Sequence, residues 1–318
     1  MAHKYALLAV GELLADFIGM EIADDIATTE RFQRFQGGSP SNLAANMARL
    51  GNATAIVSCV GNDNLGKYLV DKVQETGVDI SHIVIDRQEP SSIVVVARSR
   101  ATPDFIAYRT ADRMIHPKHI SDELLSQSAV FHTTCFALSQ NPAQKTIIEA
   151  AERAAKLGCQ LSIDLNYSPK IWADREDAWQ TIEAYIKHGA LTKISEDDAE
   201  RLYDKAVEPE EAIADLHRMG ALVVCFTLGG KGSIISYENG AKKFKMAAPK
   251  IEVVDATGAG DSYWSGFLTA FLEGKDIETC AKAGVNIAVL KLTTLGPLPV
   301  KVNRTILYNT PTAAADRP

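Results

Sequence analysis

Cysteine is scarce in this chain and poorly spaced for cross-linking. The 318 residues hold 5 cysteines, Cys59, Cys135, Cys159, Cys225 and Cys280, far apart and mostly within apolar segments. That excludes a disulfide-stapled scaffold and reads as reduced core thiols. Proline is also sparse, at 12, and no Pro-rich linker, low-complexity tract or fixed-period repeat divides the sequence. There is no basic surplus: 33 Lys and Arg stand against 40 Asp and Glu, a net charge of -7. No overall field therefore draws the chain to nucleic acid or to an anionic membrane, and any phosphate site must be local. The 3 tryptophans are too scattered to form a base-stacking platform. No apolar run approaches the roughly 18 residues of a membrane span. Met1 to Val10 lacks the long apolar core and cleavage site of a secretory signal, so the expectation is a cytoplasmic protein without a membrane partner. What remains, 46% hydrophobic and 23% charged residues, is the composition of a globular chain able to bury a sizeable core.

Short apolar or β-branched runs recur as candidate buried strands: Ala6 to Val10, Thr54 to Val60, Ala129 to Cys135, Gln160 to Leu165, Ala190 to Ile194 and Leu222 to Leu228. Helical patterns lie between them, over Ser41 to Leu50, Leu65 to Thr76, Pro142 to Leu157, Arg175 to His188 and Pro209 to Met219, the first three each followed by a glycine suited to a C-cap. Repeated β then α predicts an α/β fold, a mostly parallel sheet covered by helices. Two stretches break the rhythm. Leu13 to Phe35 has little helical periodicity, and Ser91 to Ser99 with Phe105 to Tyr108 reads as two strands joined across Thr102-Pro103-Asp104. Together they predict a small β lid, near 13–35 and 91–109, on one domain spanning 1–308. Residues 309–318 read as a loose tail.

The most informative segment is Val253-Val254-Asp255-Ala256-Thr257-Gly258-Ala259-Gly260-Asp261, which opens an apolar stretch containing Trp264, Phe267, Leu268 and Phe271. Small residues at a helix entrance let backbone approach a ligand, and the N–H groups of Ala259, Gly260 and Asp261 can converge on an anion. A carboxylate beside a phosphate is unfavourable unless it takes a proton from the acceptor hydroxyl, so Asp261 reads as a general base. The alternative is a helix-dipole partner in the first turn. Tyr263 stands where a dinucleotide fingerprint needs its third glycine, and no Gly-Lys-Ser/Thr follows, which removes the nicotinamide and P-loop readings. A second constellation, Gln36-Gly37-Gly38-Ser39-Pro40-Ser41-Asn42, precedes another helix. Paired glycines admit a small polyhydroxy ligand and Asn42 offers both a donor and an acceptor, although a turn with a Ser N-cap satisfies the same composition. His116-Pro117-Lys118-His119 lacks a third ligand at useful spacing and reads as a loop.

Gly37-Gly38-Ser39-Pro40-Ser41-Asn42 through Ala48-Arg49-Leu50-Gly51, and Asp255-Ala256-Thr257-Gly258-Ala259-Gly260-Asp261, resemble in order the two signatures of the PfkB or ribokinase-like carbohydrate kinases, closest in pattern to fructokinase-like and 2-keto-3-deoxygluconate kinase-like members. The resemblance extends to Gly11-Glu12 through Asp16, the lid, Thr227-Leu228-Gly229-Gly230-Lys231-Gly232 and Ala281 to Gly296. It implies a ribokinase-like three-layer α/β/α fold and transfer of the γ-phosphoryl group of ATP to a primary hydroxyl of a small sugar. Asp261 is then the base, and Gly258, Ala259 and Gly260 the anion hole. Asp16, Gly37, Gly38, Asn42 and Arg109 would contact the sugar, and Thr227, Gly229, Gly232 and Asn286 the nucleotide. The family also implies Mg²⁺, a monovalent cation such as K⁺ beside Asp255 and the Thr257 carbonyl, and pairing of two subunits through the lid.

Two departures bear on this. Ser195-Glu196-Asp197-Asp198 stands where many members have Asn-x-x-Glu, leaving Ser195 and Asp198 to order water around magnesium, or simply to cap a helix. In Asp164-Leu165-Asn166-Tyr167-Ser168, Ser168 replaces an arginine common in the family, with Lys170 a partial substitute, which favours a neutral hexose over an acid sugar. Fructose is the expected acceptor. The alternatives are 2-keto-3-deoxygluconate, a nucleoside, and a non-catalytic sugar-binding regulator of the same fold.

Overall fold

The computed structural model describes residues 3–23, 25–98 and 104–309. Its strands are β1 (Tyr5–Val10), β2 (Leu14–Ile22), β3 (Phe32–Gly37), β4 (Thr54–Gly61), β5 (Ile83–Asp86), β6 (Ile93–Arg98), β7 (Phe105–Tyr108), β8 (Ser128–Thr134), β9 (Gln160–Asp164), β10 (Ala190–Ser195), β11 (Val223–Thr227), β12 (Ser233–Tyr237) and β13 (Lys242–Met246). Nine of them form one sheet in the order β13-β12-β11-β10-β9-β8-β1-β4-β5. From β11 to β5 every neighbouring pair is parallel, and the antiparallel β12 and β13 extend one edge.

The parallel strands are buried on both faces, so their sequences are nearly continuous apolar runs. In β1, Leu8 and Val10 pack into one core with Phe131, Ile147 and Tyr185. Leu7 and Ala9 pack into the other with Met47, Trp264 and Phe267. Helices Ala143–Lys156 and Arg175–Ile186 cover the first face, and Ser39–Arg49, Ala259–Leu272 and Ile277–Leu292 the second. This is the three-layer α/β/α arrangement expected from the repeat of β and α. Trp264 and Phe267 stack at a centroid distance of 4.8 Å inside the second core; truncating either ring to alanine costs about 3–5 kcal/mol.

The predicted lid is the second sheet, ordered β3-β2-β6-β7. β2 pairs antiparallel with β3 and parallel with β6, and β6 antiparallel with β7. The expected turn residues Thr102 and Pro103, and most of the 309–318 tail, lie outside the described residues. β5, β12 and β13 were not anticipated: β5 is four residues long, and β13 is a mostly exposed lysine-rich edge whose alternation is carried by Phe244 and Met246. No helix among the described residues is long and apolar enough to cross a membrane.

Strand order reverses between β1 and β8, where consecutive strands depart in opposite directions and their carboxyl ends leave a crevice. Glu12, just beyond β1, ties this point together. Its Oε2 accepts from the Thr134 hydroxyl at 2.9 Å and its Oε1 from the Ser39 N–H at 3.2 Å. Burial pushes the Glu12 carboxyl up to about 8, with nearby Arg109 opposing the rise. Since the folded value exceeds the unfolded one, native protein holds the extra proton between roughly pH 4.5 and 8, and this contribution to stability is lost as pH rises through that window. Urea unfolding from pH 5 to 8 should therefore show stability falling with pH. Glu12→Gln should make the slope shallower by up to about 1.4 kcal/mol per pH unit; an unchanged slope would mean Glu12 is ionised in the fold.

Candidate active site

The crevice lies where the carboxyl ends of the parallel strands meet the entrances of two helices. One entrance is Asp255 to Gly258, leading into Ala259–Leu272. Gly258 is the N-cap with φ of 73°, a left-handed conformation that glycine adopts without penalty. The first helical bond runs from the Ser262 N–H to the Gly258 carbonyl at 3.0 Å. Of the three amides expected to face an anion, that of Ala259 donates to the Ala256 carbonyl at 3.2 Å, so a tight turn shares it. The Gly260 and Asp261 amides have no protein acceptor among the described residues and carry the positive end of the helix.

The other entrance is Gly37-Gly38, leading into Ser39–Arg49. A Cβ on Gly37 would lie 2.1 Å from Asp16 Oδ2, and one on Gly38 2.3 Å from the Glu12 carbonyl oxygen. Gly38 therefore excludes any side chain, whereas one at Gly37 would displace the Asp16 carboxylate, which lies directly against this backbone. Asp261 joins the two entrances. Its Oδ1 accepts from the Ser39 hydroxyl at 2.6 Å and its Oδ2 from the Asn42 amide at 3.0 Å. Gln36 holds Asn42 in turn, donating to its Oδ1 at 3.2 Å and to the Ser41 hydroxyl at 2.7 Å. Burial raises the Asp261 carboxyl to about 6, with Asp164 adding to the rise and Ser39 and Asn42 opposing it. Asp16 is raised further, to about 7, by burial and by the charge of Asp261.

Beneath Gly260 is an ion pair that the sequence motifs did not single out. Lys193 Nζ, on β10, donates to both carboxylate oxygens of Asp164, at the end of β9, at 2.8 and 2.7 Å. The two residues are register partners on adjacent strands and both are buried. A Cβ on Gly260 would lie 3.2 Å from the ammonium, so a fixed positive charge underlies the turn. Burial alone would lower the Lys193 pKa, but the charges of Asp164, Asp198 and Asp261 raise it. The available signal was a lysine inside a strand otherwise reading as fully buried, since such a charge requires a partner.

Other expected residues fall less simply. Arg109 does not reach freely toward the crevice: its side chain is 3% exposed and paired with Asp112, donating also to the Phe136 carbonyl and the Ser139 hydroxyl, both at 2.7 Å. It braces the wall between lid and sheet. Asn286, expected near adenine, is a satisfied core amide; it donates to the Leu307 and Asn309 carbonyls at 3.0 and 3.3 Å. Thr227, Gly229 and Gly232 stand at the carboxyl end of β11, in the hairpin to β12. Gly229 faces open space, whereas Gly232 lies against the Met246 carbonyl. Ser195 and Asp198 form a reciprocal capping box on helix Glu196–Tyr203, and Arg201 donates to the other Asp198 oxygen at 3.3 Å. Burial and Asp164 raise Asp198 to about 6. Asp255 is already engaged, by the Thr257 and Gly296 amides and by the Lys291 ammonium. Lys170 donates to Asp104 Oδ1 at 2.5 Å and lies over the Phe105 ring. No cluster of three His, Cys, Asp or Glu side chains suited to a metal occurs among the described residues.

Residues 5–301 match the model of the pfkB family carbohydrate kinases. The ATP-dependent 6-phosphofructokinase of Thermoanaerobacterium thermosaccharolyticum is 34% identical, covering 93% of this chain and 90% of that one. The fructokinase structure of Halothermothrix orenii superposes with a TM-score of 0.78 at 30% identity over 92% of this chain and 99% of that one. An uncharacterized sugar kinase of Pyrococcus horikoshii in complex with ATP gives a TM-score of 0.81 at 25% identity over 91% and 93%.

Replacing Lys193 by methionine keeps the stem and removes the ammonium, leaving Asp164 buried without its countercharge. The expected loss is about 3–5 kcal/mol in unfolding free energy. Because Lys193 lowers the Asp261 pKa, Asp261 should titrate at higher pH in Lys193→Met, followed by carboxyl-carbon NMR. Titration at an unmoved or lower pH would show that the ammonium does not act on the crevice.

Proposed function

The chain belongs to the pfkB family of carbohydrate kinases and is a sugar kinase; from that premise we propose that it transfers the γ-phosphoryl group of ATP to a primary hydroxyl of fructose, with Asp261 as the base. The observation that carries this reading is the position of one carboxylate between the two helix entrances, held by Ser39 and Asn42 beside the open amides of Gly260 and Asp261. A carboxyl at about 6 is mostly ionised at neutral pH, yet basic enough to accept the hydroxyl proton as the bond to phosphorus forms. The two amides and the Lys193 ammonium below them supply positive potential to the phosphoryl oxygens without reorganising. Asp16, whose oxygens receive no protein donor among the described residues, is suited to accept from sugar hydroxyls, and Asn42 has a second N–H for the same purpose.

ATP, bound in the Pyrococcus relative's structure, is the proposed donor, lying along Thr227 and Gly229. Magnesium would neutralise donor charge when bound; Ser195 and Asp198, whose oxygens are already engaged by each other and by Arg201, would hold it through water and not directly. Asn286 is not part of this proposal, and Arg109 enters it as a brace.

A neutral acceptor is favoured over an acid sugar because the one lysine proposed to replace the missing arginine is paired with Asp104. Fructose 6-phosphate is a second reading, favoured by the 34% identical phosphofructokinase. A non-catalytic regulator is disfavoured by an Asp261 carboxylate held by Ser39 and Asn42 beside the open amides of Gly260 and Asp261. Pairing of two subunits through the lid is supported by its exposed Met20, Ile22, Ile106 and Tyr108, and light scattering should give twice the chain mass.

With ATP and Mg²⁺, fructose should be phosphorylated at higher kcat/KM than fructose 6-phosphate, 2-keto-3-deoxygluconate or adenosine; the reverse order would reassign the acceptor. Asp261→Asn should lower kcat by about 10²–10⁴ with little change in fructose affinity. Undiminished turnover would remove Asp261 from the chemistry.

A further inference from the structure

Helix Ile277–Leu292 ends in Ala-Val-Leu-Lys-Leu, and its lysine, Lys291, has a side chain only 6% exposed. A lysine this far from water requires acceptors. Lys291 finds them in a single residue of the other chain segment: its Nζ donates to Asp255 Oδ2 at 2.9 Å and to the Asp255 carbonyl oxygen at 3.2 Å. Asp255 in turn shapes the turn before Gly258. Its Oδ1 accepts from the Thr257 amide at 2.9 Å, and its Oδ2 also accepts from the Gly296 amide at 3.1 Å. Burial alone would raise the Asp255 carboxyl, but the bonds from Thr257 and Lys291 outweigh it and keep it below its ordinary value. The ammonium thus lies at the carboxyl end of one helix, where a cation is favoured, and against the loop that opens another.

The sequence resemblance places a monovalent cation beside Asp255, but the donor set does not fit one. A metal ion there would have to share the Asp255 carboxylate with Lys291, whose ammonium also holds the Asp255 carbonyl, and it would stand next to a like charge. We infer that Lys291 is the resident cation of this loop, so that its tethered ammonium holds Asp255 and the following turn as a bound potassium ion otherwise would. An ammonium group is close to potassium in size, and its N–H groups suit the same oxygens. The inference rests on the reading of 255–261 as the phosphoryl-binding turn, and it predicts an enzyme indifferent to potassium.

The test has two readouts. Initial rates with the best acceptor are measured in K⁺ and in tetramethylammonium at equal ionic strength; melting temperature is measured in the same two salts by fluorescence, which needs no activity. Wild type should give equal rates and equal melting temperatures. Lys291→Ser should lose about a hundredfold in rate in tetramethylammonium and recover much of it in K⁺, with a melting temperature that K⁺ raises. A wild-type rate or melting temperature that rises with K⁺ overturns the inference. So does a variant that keeps the full rate, one that K⁺ neither activates nor stabilises, or one that stays unfolded in both salts. Were no acceptor phosphorylated at all, the function proposed above would fail, while the melting comparison would still decide whether Lys291 fills a cation site.

Discussion

The hydrogen bonds of Asp261 to Ser39 and Asn42 connect residues 222 and 219 positions apart in sequence, and the crevice depends on them. Each helix entrance alone is a turn of small residues. Joined, they bring a carboxylate, two open amides and the glycine backbone that receives the lid into one place. The carboxylate could not remain there as a bare charge. Ser39 and Asn42 donate to its two oxygens and, with a smaller contribution from the Lys193 ammonium, oppose the rise that burial and Asp164 impose on Asp261. Hydrogen-bond donors and countercharge together make a buried base tolerable.

The sheet positions these groups through its topology. Because strand order reverses at β1 and β8, Glu12 can reach Thr134 on one side and the Ser39 amide on the other. Parallel pairing of β9 with β10 sets Asp164 and Lys193 side by side beneath Gly260. The lid adds Asp16 from β2, admitted only because Gly37 has no side chain. A Cβ at that glycine would displace Asp16, so the lid's register against β3 and the arrangement of the acceptor side are one constraint.

The elements legible in the sequence were those whose signal is local. The parallel strands other than β5, and the five helices read between them, fall within a residue or two of where apolar periodicity placed them, as in Thr54–Gly61 against Thr54 to Val60 and Ala143–Lys156 against Pro142 to Leu157. The lid was legible from interrupted periodicity, and the two glycine motifs from composition. Contacts that depend on packing across the sheet were not. Nothing local in Asn286 distinguishes a nucleotide contact from an amide spent on the carbonyls of Leu307 and Asn309. Nor does Arg109, at the end of a strand, reveal that Asp112 and Phe136 will turn it inward. β5 and β13 were hidden because four residues, or an edge dominated by lysine, give too little alternation to read.

Lys193 and Lys291 escaped the motifs for a related reason, and they share a physical role. Each is a lysine in an apolar stretch, each is buried, and each is bound to an aspartate beside the turn from Asp255 to Asp261. A mobile surface cation near this turn would be screened by salt and would have to be ordered whenever an anion arrived. An ammonium fixed inside the protein is ordered during folding and acts through a medium less polarisable than water. Its desolvation is balanced by an aspartate that also shapes local backbone or sheet pairing, so the stability of the fold and the positive potential of the turn rest on the same ion pairs. Substituting either lysine should disturb both, whereas a surface lysine such as Lys231, paired with Glu196 in solvent, should disturb neither appreciably.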